Sequence, residues 1–134
     1  MATRFWGDAA LFVGRALIAV LFLGGAAQKA LSPADAQSLL AAHSLPVALI
    51  WPAMAFNLAA GLLLVLGVYI RPLALVLVLY CAVTSFFHLI PDDPWQMSIF
   101  VKNWSIAGGC LILAVAGSGG WSLRPDTQMP ALRR

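Results

Sequence analysis

Charge is scarce in this chain. Lys, Arg, Asp and Glu together make up 10% of its 134 residues, against about 25% in an ordinary soluble domain. That scarcity excludes a conventional water-facing surface, and the 62% share of hydrophobic residues points to lipid as the solvent. The eight Lys and Arg residues are scattered, so the formal charge of +3 makes no basic patch and nucleic acid is excluded as a partner. Cysteine is confined to Cys81 and Cys110, both inside apolar stretches, which excludes zinc-ligand spacing and a secreted disulfide framework. No Gly-rich dinucleotide motif, internal repeat, low-complexity tract or pair of His on one helix face is present. Metal and nucleotide chemistry therefore have no sequence basis.

What the chain does have is four long apolar runs. A helix crossing a hydrocarbon core about 30 Å thick needs about 20 mostly apolar residues. Residues 8–30, 47–70, 72–90 and 99–117 meet that requirement. They lack period-two alternation, and in lipid a segment must satisfy its own backbone, so each reads as a helix. Arg15 breaks the stretch that a signal peptide would keep uncharged, so the first run is kept as a span. The short connection at residues 69–72 makes neighbouring spans antiparallel. The fold class is all-α: an integral-membrane, up-down-up-down four-helix bundle forming a single domain over residues 1–134.

Between spans one and two, Ser32 suits a helix N-cap, Pro33 the first helical position and Asp35 the positive helix end. A short interfacial helix is expected from there through Leu39, Leu40 and His43 to Pro46, with a plain loop as the alternative. Residues 118–134, rich in Gly, Pro and Arg, read as a flexible tail. Arg4, Arg71, Arg124, Arg133 and Arg134 fall at one end of the bundle and only Lys29 and Lys102 at the other. The positive-inside bias then places both termini in the cytoplasm. Trp6 and Trp121 suit the inner interface; Trp51, Trp95 and Trp104 suit the outer one.

Ionisable groups at membrane depth are costly and mark candidate sites. Arg15 is one, with Asn57 placed mid-span where it is expected to hydrogen-bond across to it. The bland account is that these two merely pin helices together. A second group gathers at the outer end: Lys29, His88, Lys102 and Asn103, with Gln28, Thr84 and Ser85 nearby and Asp92 and Asp93 as counter-charges. Their convergence would form a cationic, hydrogen-bonding mouth suited to a small anion or to the polar head of a quinone or lipid. Lys29 and Lys102 as ordinary interface anchors is the competing account. An imidazole can pass a proton to or from a reduced quinone, which makes His88 a candidate for proton transfer, although a lone interfacial His is more often a hydrogen-bonding residue. Cys81 and Cys110, both near mid-membrane, are best read as small packing residues.

The ordered series Gly14–Arg15, Phe22 through Gly25 to Lys29, Ser32–Pro33, and His43 through Leu45 to Pro46 resembles the DoxX family of small prokaryotic membrane proteins. The likeness continues through Gly61, Gly67, Arg71, Phe87–His88, Phe100 to Asn103, and Gly108–Gly109. The family usually carries a Glu in span two where this chain has Asn57, so this chain keeps only a neutral hydrogen-bonding group there. The resemblance implies a prokaryotic inner-membrane protein, and some relatives are linked to quinone-dependent sulfur oxidation or to complexes resisting oxidative and thiol stress. Three functions follow as expectations. One is an accessory subunit of a quinone-linked redox or oxidative-stress system, working with a separate redox protein or a second copy of itself and with quinone as its cofactor. Another is a binding or permeation protein for a small lipophilic or anionic molecule. The last is a membrane scaffold without catalytic activity.

Overall fold

The structure, a computed structural model, describes residues 1–126. Five α-helices run in order: α1 (Ala2–Leu31), α2 (Pro33–Ala42), α3 (Ile50–Leu66), α4 (Ile70–Phe87) and α5 (Pro94–Ala116), with a 3-10 turn at Val47–Leu49 leading into α3. There is no strand among the described residues. Four of these helices are long and apolar enough to cross a membrane: α1, α4, α5, and α3 joined to its 3-10 turn. The shortest has 18 residues, or about 27 Å at 1.5 Å per residue, enough for a bilayer core.

The bundle is built as two helix pairs, α1 with α3 and α4 with α5, which meet each other less extensively. Both pairs are antiparallel. In the first, Arg15 lies level with Leu64 while Gly25 lies level with Asn57. In the second, Arg71 lies level with Ala114 while Thr84 lies level with Asn103. Close approach within the first pair depends on Gly61, whose missing side chain makes room for Leu23. The two pairs share one core, with Ala19, Leu64, Leu77 and Cys110 fully buried. Cys81 and Cys110 are both buried, free thiols within it. Outward faces keep large apolar residues such as Leu17, Leu79, Ile112 and Val115 exposed, as lipid contact requires.

Helix α2 stands where Ser32, Pro33 and Asp35 signal it, with Pro33 in its first turn and no residue buried. Ser32 occupies the N-cap position, but its side chain makes no capping bond. Two boundaries differ from expectation for identifiable reasons. The last span starts at Pro94 rather than residue 99, because Asp93 caps it: Oδ1 accepts from Trp95 N at 3.0 Å and Gln96 N at 3.2 Å. The second span ends at Leu66 because Gly67 adopts a left-handed conformation (φ 72°) as its C-cap.

Gly67 carries a further constraint, since a Cβ there would strike both the Arg15 guanidinium and Ser122. Gly67→Ala is therefore expected to destabilise the protein by at least the 1–2 kcal/mol or so that a left-handed conformation costs an L-residue. Thermal unfolding in detergent micelles measures it; an unchanged midpoint would contradict the cap.

The stretch expected to be a free tail from Ser118 differs in its first part. Residues 118–126 turn back under the bundle, aided by positive φ at Gly117 and Gly119. Leu123 N donates to Leu66 O at 2.9 Å and Gly120 N to Asp8 Oδ1 at 2.7 Å. Trp121 packs edge-on against Phe5, and the Arg124 guanidinium lies over the Tyr69 ring. The glycines that read as flexibility instead make the turn, and the carbonyl end of α3 supplies acceptors for the returning segment. The remainder of the tail, including Arg133 and Arg134, lies outside the described residues.

Candidate functional site

Arg15 is fully buried, at 0% exposure, and its surroundings show what it does. The last four carbonyls of any helix lack intrahelical donors and carry the negative end of the helix dipole. Arg15 of α1 reaches the end of α3, where Nη1 donates to Leu64 O at 3.0 Å, while Nη2 donates to Trp121 O of the returning segment. Phe12 flanks the guanidinium. Arg71 repeats the arrangement in the other pair: from the first turn of α4 its Nη1 donates to Ala114 O at 3.2 Å and Val115 O at 2.7 Å, at the end of α5. Each pair thus carries one arginine that caps the partner helix. The expected bond from Arg15 to Asn57 is not formed, because the register puts Leu64 opposite Arg15 and Asn57 two helical turns away.

Asn57 belongs to a different group. It is only 4% exposed and its amide lies against Gly25, over which the Lys29 ammonium also sits. Lys29 Nζ donates to Gly25 O at 3.3 Å, a carbonyl of its own helix. Tyr80 of α4 lies close enough to Asn57 for their side chains to interact, while Asn57 Oδ1 is buried without a partner among the described residues. Phe22 and Phe56 hold the Tyr80 ring at centroid distances of 6.0 and 4.8 Å. Three elements therefore bring an ammonium, a carboxamide and a phenol to one aromatic-walled place between the helix pairs.

A polar stripe leads away from it. Tyr80, Thr84 and His88 recur every fourth residue and so share one face of α4. Thr84 Oγ1 donates to Tyr80 O at 2.8 Å and accepts from Asn103 Nδ2 at 3.4 Å, and His88 Nδ1 lies 2.6 Å from Gln96 Oε1 where α4 ends. His43, ending α2, packs on Phe87 beside it. The expected outer mouth is thus only partly assembled. Lys29, Asn57, Asn103 and His88 line or approach the interior, whereas Lys102 is exposed in a shallow depression with Pro94, Met97, Ser98 and Val101 of its own helix. Helix α5 is apolar nearly all round, so its phase was not legible, and Asn103 rather than Lys102 turns inward. Tyr80 was missed, although a phenol in mid-span, needing a polar partner, was a usable signal.

Four membrane-crossing helices around buried polar side chains define a multi-pass membrane protein. The DoxX family profile matches residues 10–90, and the chain belongs to that family. It is 28% identical over 117 residues to the inner membrane protein YqjF of Escherichia coli K12, covering 87% of this chain and 90% of that one. It is 36% identical over 80 residues to the inner membrane protein YphA of the same organism, covering 53% and 55%. No solved structure matches it. Four apolar helices and inner-membrane relatives make it a multi-pass inner-membrane protein.

Proposed function

We propose that this chain is a small membrane subunit of a quinone-linked redox or oxidative-stress system, holding the polar head of a quinone at Lys29, Asn57 and Tyr80. The observation that carries the reading is the buried Asn57 Oδ1, which has no partner among the described residues. An orphaned buried acceptor costs about 1–3 kcal/mol, so a retained one asks for a ligand that donates to it. A reduced ring donates a hydroxyl hydrogen to such an oxygen, and the Lys29 ammonium donates to a ring oxygen. The aromatic walls of Phe22, Phe56 and Tyr80 suit a flat ring, and the lipid-facing helix surfaces suit its tail. The residues present fit the group.

When bound, a quinone supplies two-electron redox chemistry; the chain supplies the binding. Lys29 and Asn57 orient the head, Phe22 and Phe56 keep water away, and the polar face of Thr84 and His88 leads from the head to the end of α4. Electrons come from a separate redox protein. Permeation is less favoured, since no membrane-crossing helix among the described residues is broken at mid-depth as in many transporters. The positive bias of Arg4, Arg71 and Arg124 supports cytoplasmic termini.

The test is quenching of tryptophan fluorescence by a short-tailed quinone analogue with purified protein in micelles. Wild type is expected to bind saturably, and Asn57→Leu and Lys29→Met to bind at least about tenfold more weakly. Asn57→Leu is also expected to keep or raise thermal stability, because it removes an unsatisfied polar group. A scaffold asparagine would show the reverse: stability lost. Absence of saturable binding by wild type, or unchanged affinity in Asn57→Leu, would overturn the proposal.

A further inference from the structure

At the end of the bundle bearing the N-terminus, a cavity of about 530 Å³ opens between the start of α1, the first turn of α4 and the returning segment 117–126. Four charges line it: Arg4 and Asp8 from α1, Arg71 from α4 and Asp126 from the returning segment. In a compact protein such charges usually pair with each other. Here their hydrogen bonds among the described residues go to the backbone instead. Asp8 accepts from Gly120 N, Asp126 accepts from Ser118 N at 3.2 Å, and Arg71 donates to Ala114 O and Val115 O. Among the described residues Arg71 Nε is buried without a partner, and each carboxylate engages the backbone through one oxygen only.

We infer that this cavity binds the headgroup of a membrane phospholipid that carries both a phosphate and a primary ammonium. The charge pattern selects that chemistry. A purely anionic group would meet Arg4 and Arg71 but also Asp8 and Asp126, and like charges at close range cancel much of the gain. A zwitterion satisfies both signs, its phosphate taking guanidinium donors and its ammonium donating to the carboxylates. The position selects a lipid rather than a free solute. The cavity lies at the depth where exposed Trp6, together with Trp121, marks an interface, and the apolar side chains of Leu11 and Ala116 stand among its lining residues, on the side from which acyl chains can approach. The Gly117, Gly119 and Gly120 backbone forms one wall, and a Cβ at Gly120 would come within 2.6 Å of Asp8. Side chains there would fill the space.

Native mass spectrometry of the full chain, purified in detergent and offered equal amounts of phosphatidylethanolamine, phosphatidylglycerol and phosphatidylcholine, tests this. A single phosphatidylethanolamine is expected to be retained in preference to the other two by about tenfold. Arg4→Gln and Asp8→Asn are each expected to abolish the preference. Both variants keep the fold, because Arg4 makes no bond among the described residues and the carboxamide oxygen of the Asp8→Asn variant still accepts from Gly120 N. Equal retention of the three lipids, or wild-type preference in both variants, would overturn the inference. So would retention of phosphatidylglycerol lost in Arg4→Gln alone, which would indicate a simple anion site. Protection against heating by soluble phosphoethanolamine without any lipid preference would overturn the assignment to a bilayer lipid.

Discussion

Replacing Arg15 by methionine is expected to loosen one end of the bundle, at a cost of about 2–4 kcal/mol, because a buried carbonyl and a partly buried one lose their donors at about 1–3 kcal/mol each. The gain from no longer burying a guanidinium offsets part of that. Leu64 O and Trp121 O are the carbonyls concerned, so the change acts on the end of α3 and on the returning segment together. Two readouts separate this from generic destabilisation. The thermal midpoint in micelles falls, and amide exchange of residues 118–126 accelerates more than that of α5. Lysine is a poor substitute, since one ammonium replaces a planar fork that serves two acceptors at once, so Arg15→Lys is expected to recover only part of the loss. Unchanged exchange in 118–126 would show that the guanidinium does not hold that segment.

Gly61→Val is expected to separate α1 from α3. An added Cβ would stand 2.6 Å from both Cγ and Cδ2 of Leu23 and 3.3 Å from its backbone nitrogen, so the side chain cannot simply rotate away. Overpacking of this kind costs roughly 1–3 kcal/mol, and in lipid, where helix association rests on close van der Waals packing, the upper end applies. The measurable result is a lower unfolding midpoint and less folded protein recovered from membranes. Leu23→Ala is expected to restore much of the loss in the Gly61→Val background while costing stability by itself. Additive effects of the two changes would argue that the residues do not meet.

The spans were legible because lipid imposes length and apolarity on every residue of a crossing helix. Their ends were less so, since hydropathy falls off gradually where capping chemistry is sharp. Asp93–Pro94 starts α5 five residues before the apolar run does, and Ala2 starts α1 ahead of Asp8 because charged residues continue a helix into the interface. Side-chain neighbours were the least legible. Arg15 and Asn57 are both polar and both intramembrane, yet only the register between α1 and α3 decides that one meets Leu64 and the other Gly25. Arg71 served in the sequence as a mark of topology, and nothing in its neighbourhood announced that it caps α5. Lys102 and Asn103 are adjacent, and a rotation of about 100° between successive helical residues places one outside and the other within.

The two arginine caps also bear on how the chain is made. Each joins helices that are consecutive crossings, so residues 2–66 contain everything needed to complete the first helical couple, and residues 70–116 everything for the second. A nascent polypeptide leaving the ribosome can settle its first two crossings, with Leu64 O at the end of α3 satisfied by Arg15, before the third has been synthesised. Biogenesis then proceeds in two instalments. The returning segment, carrying Trp121, then seals the assembly.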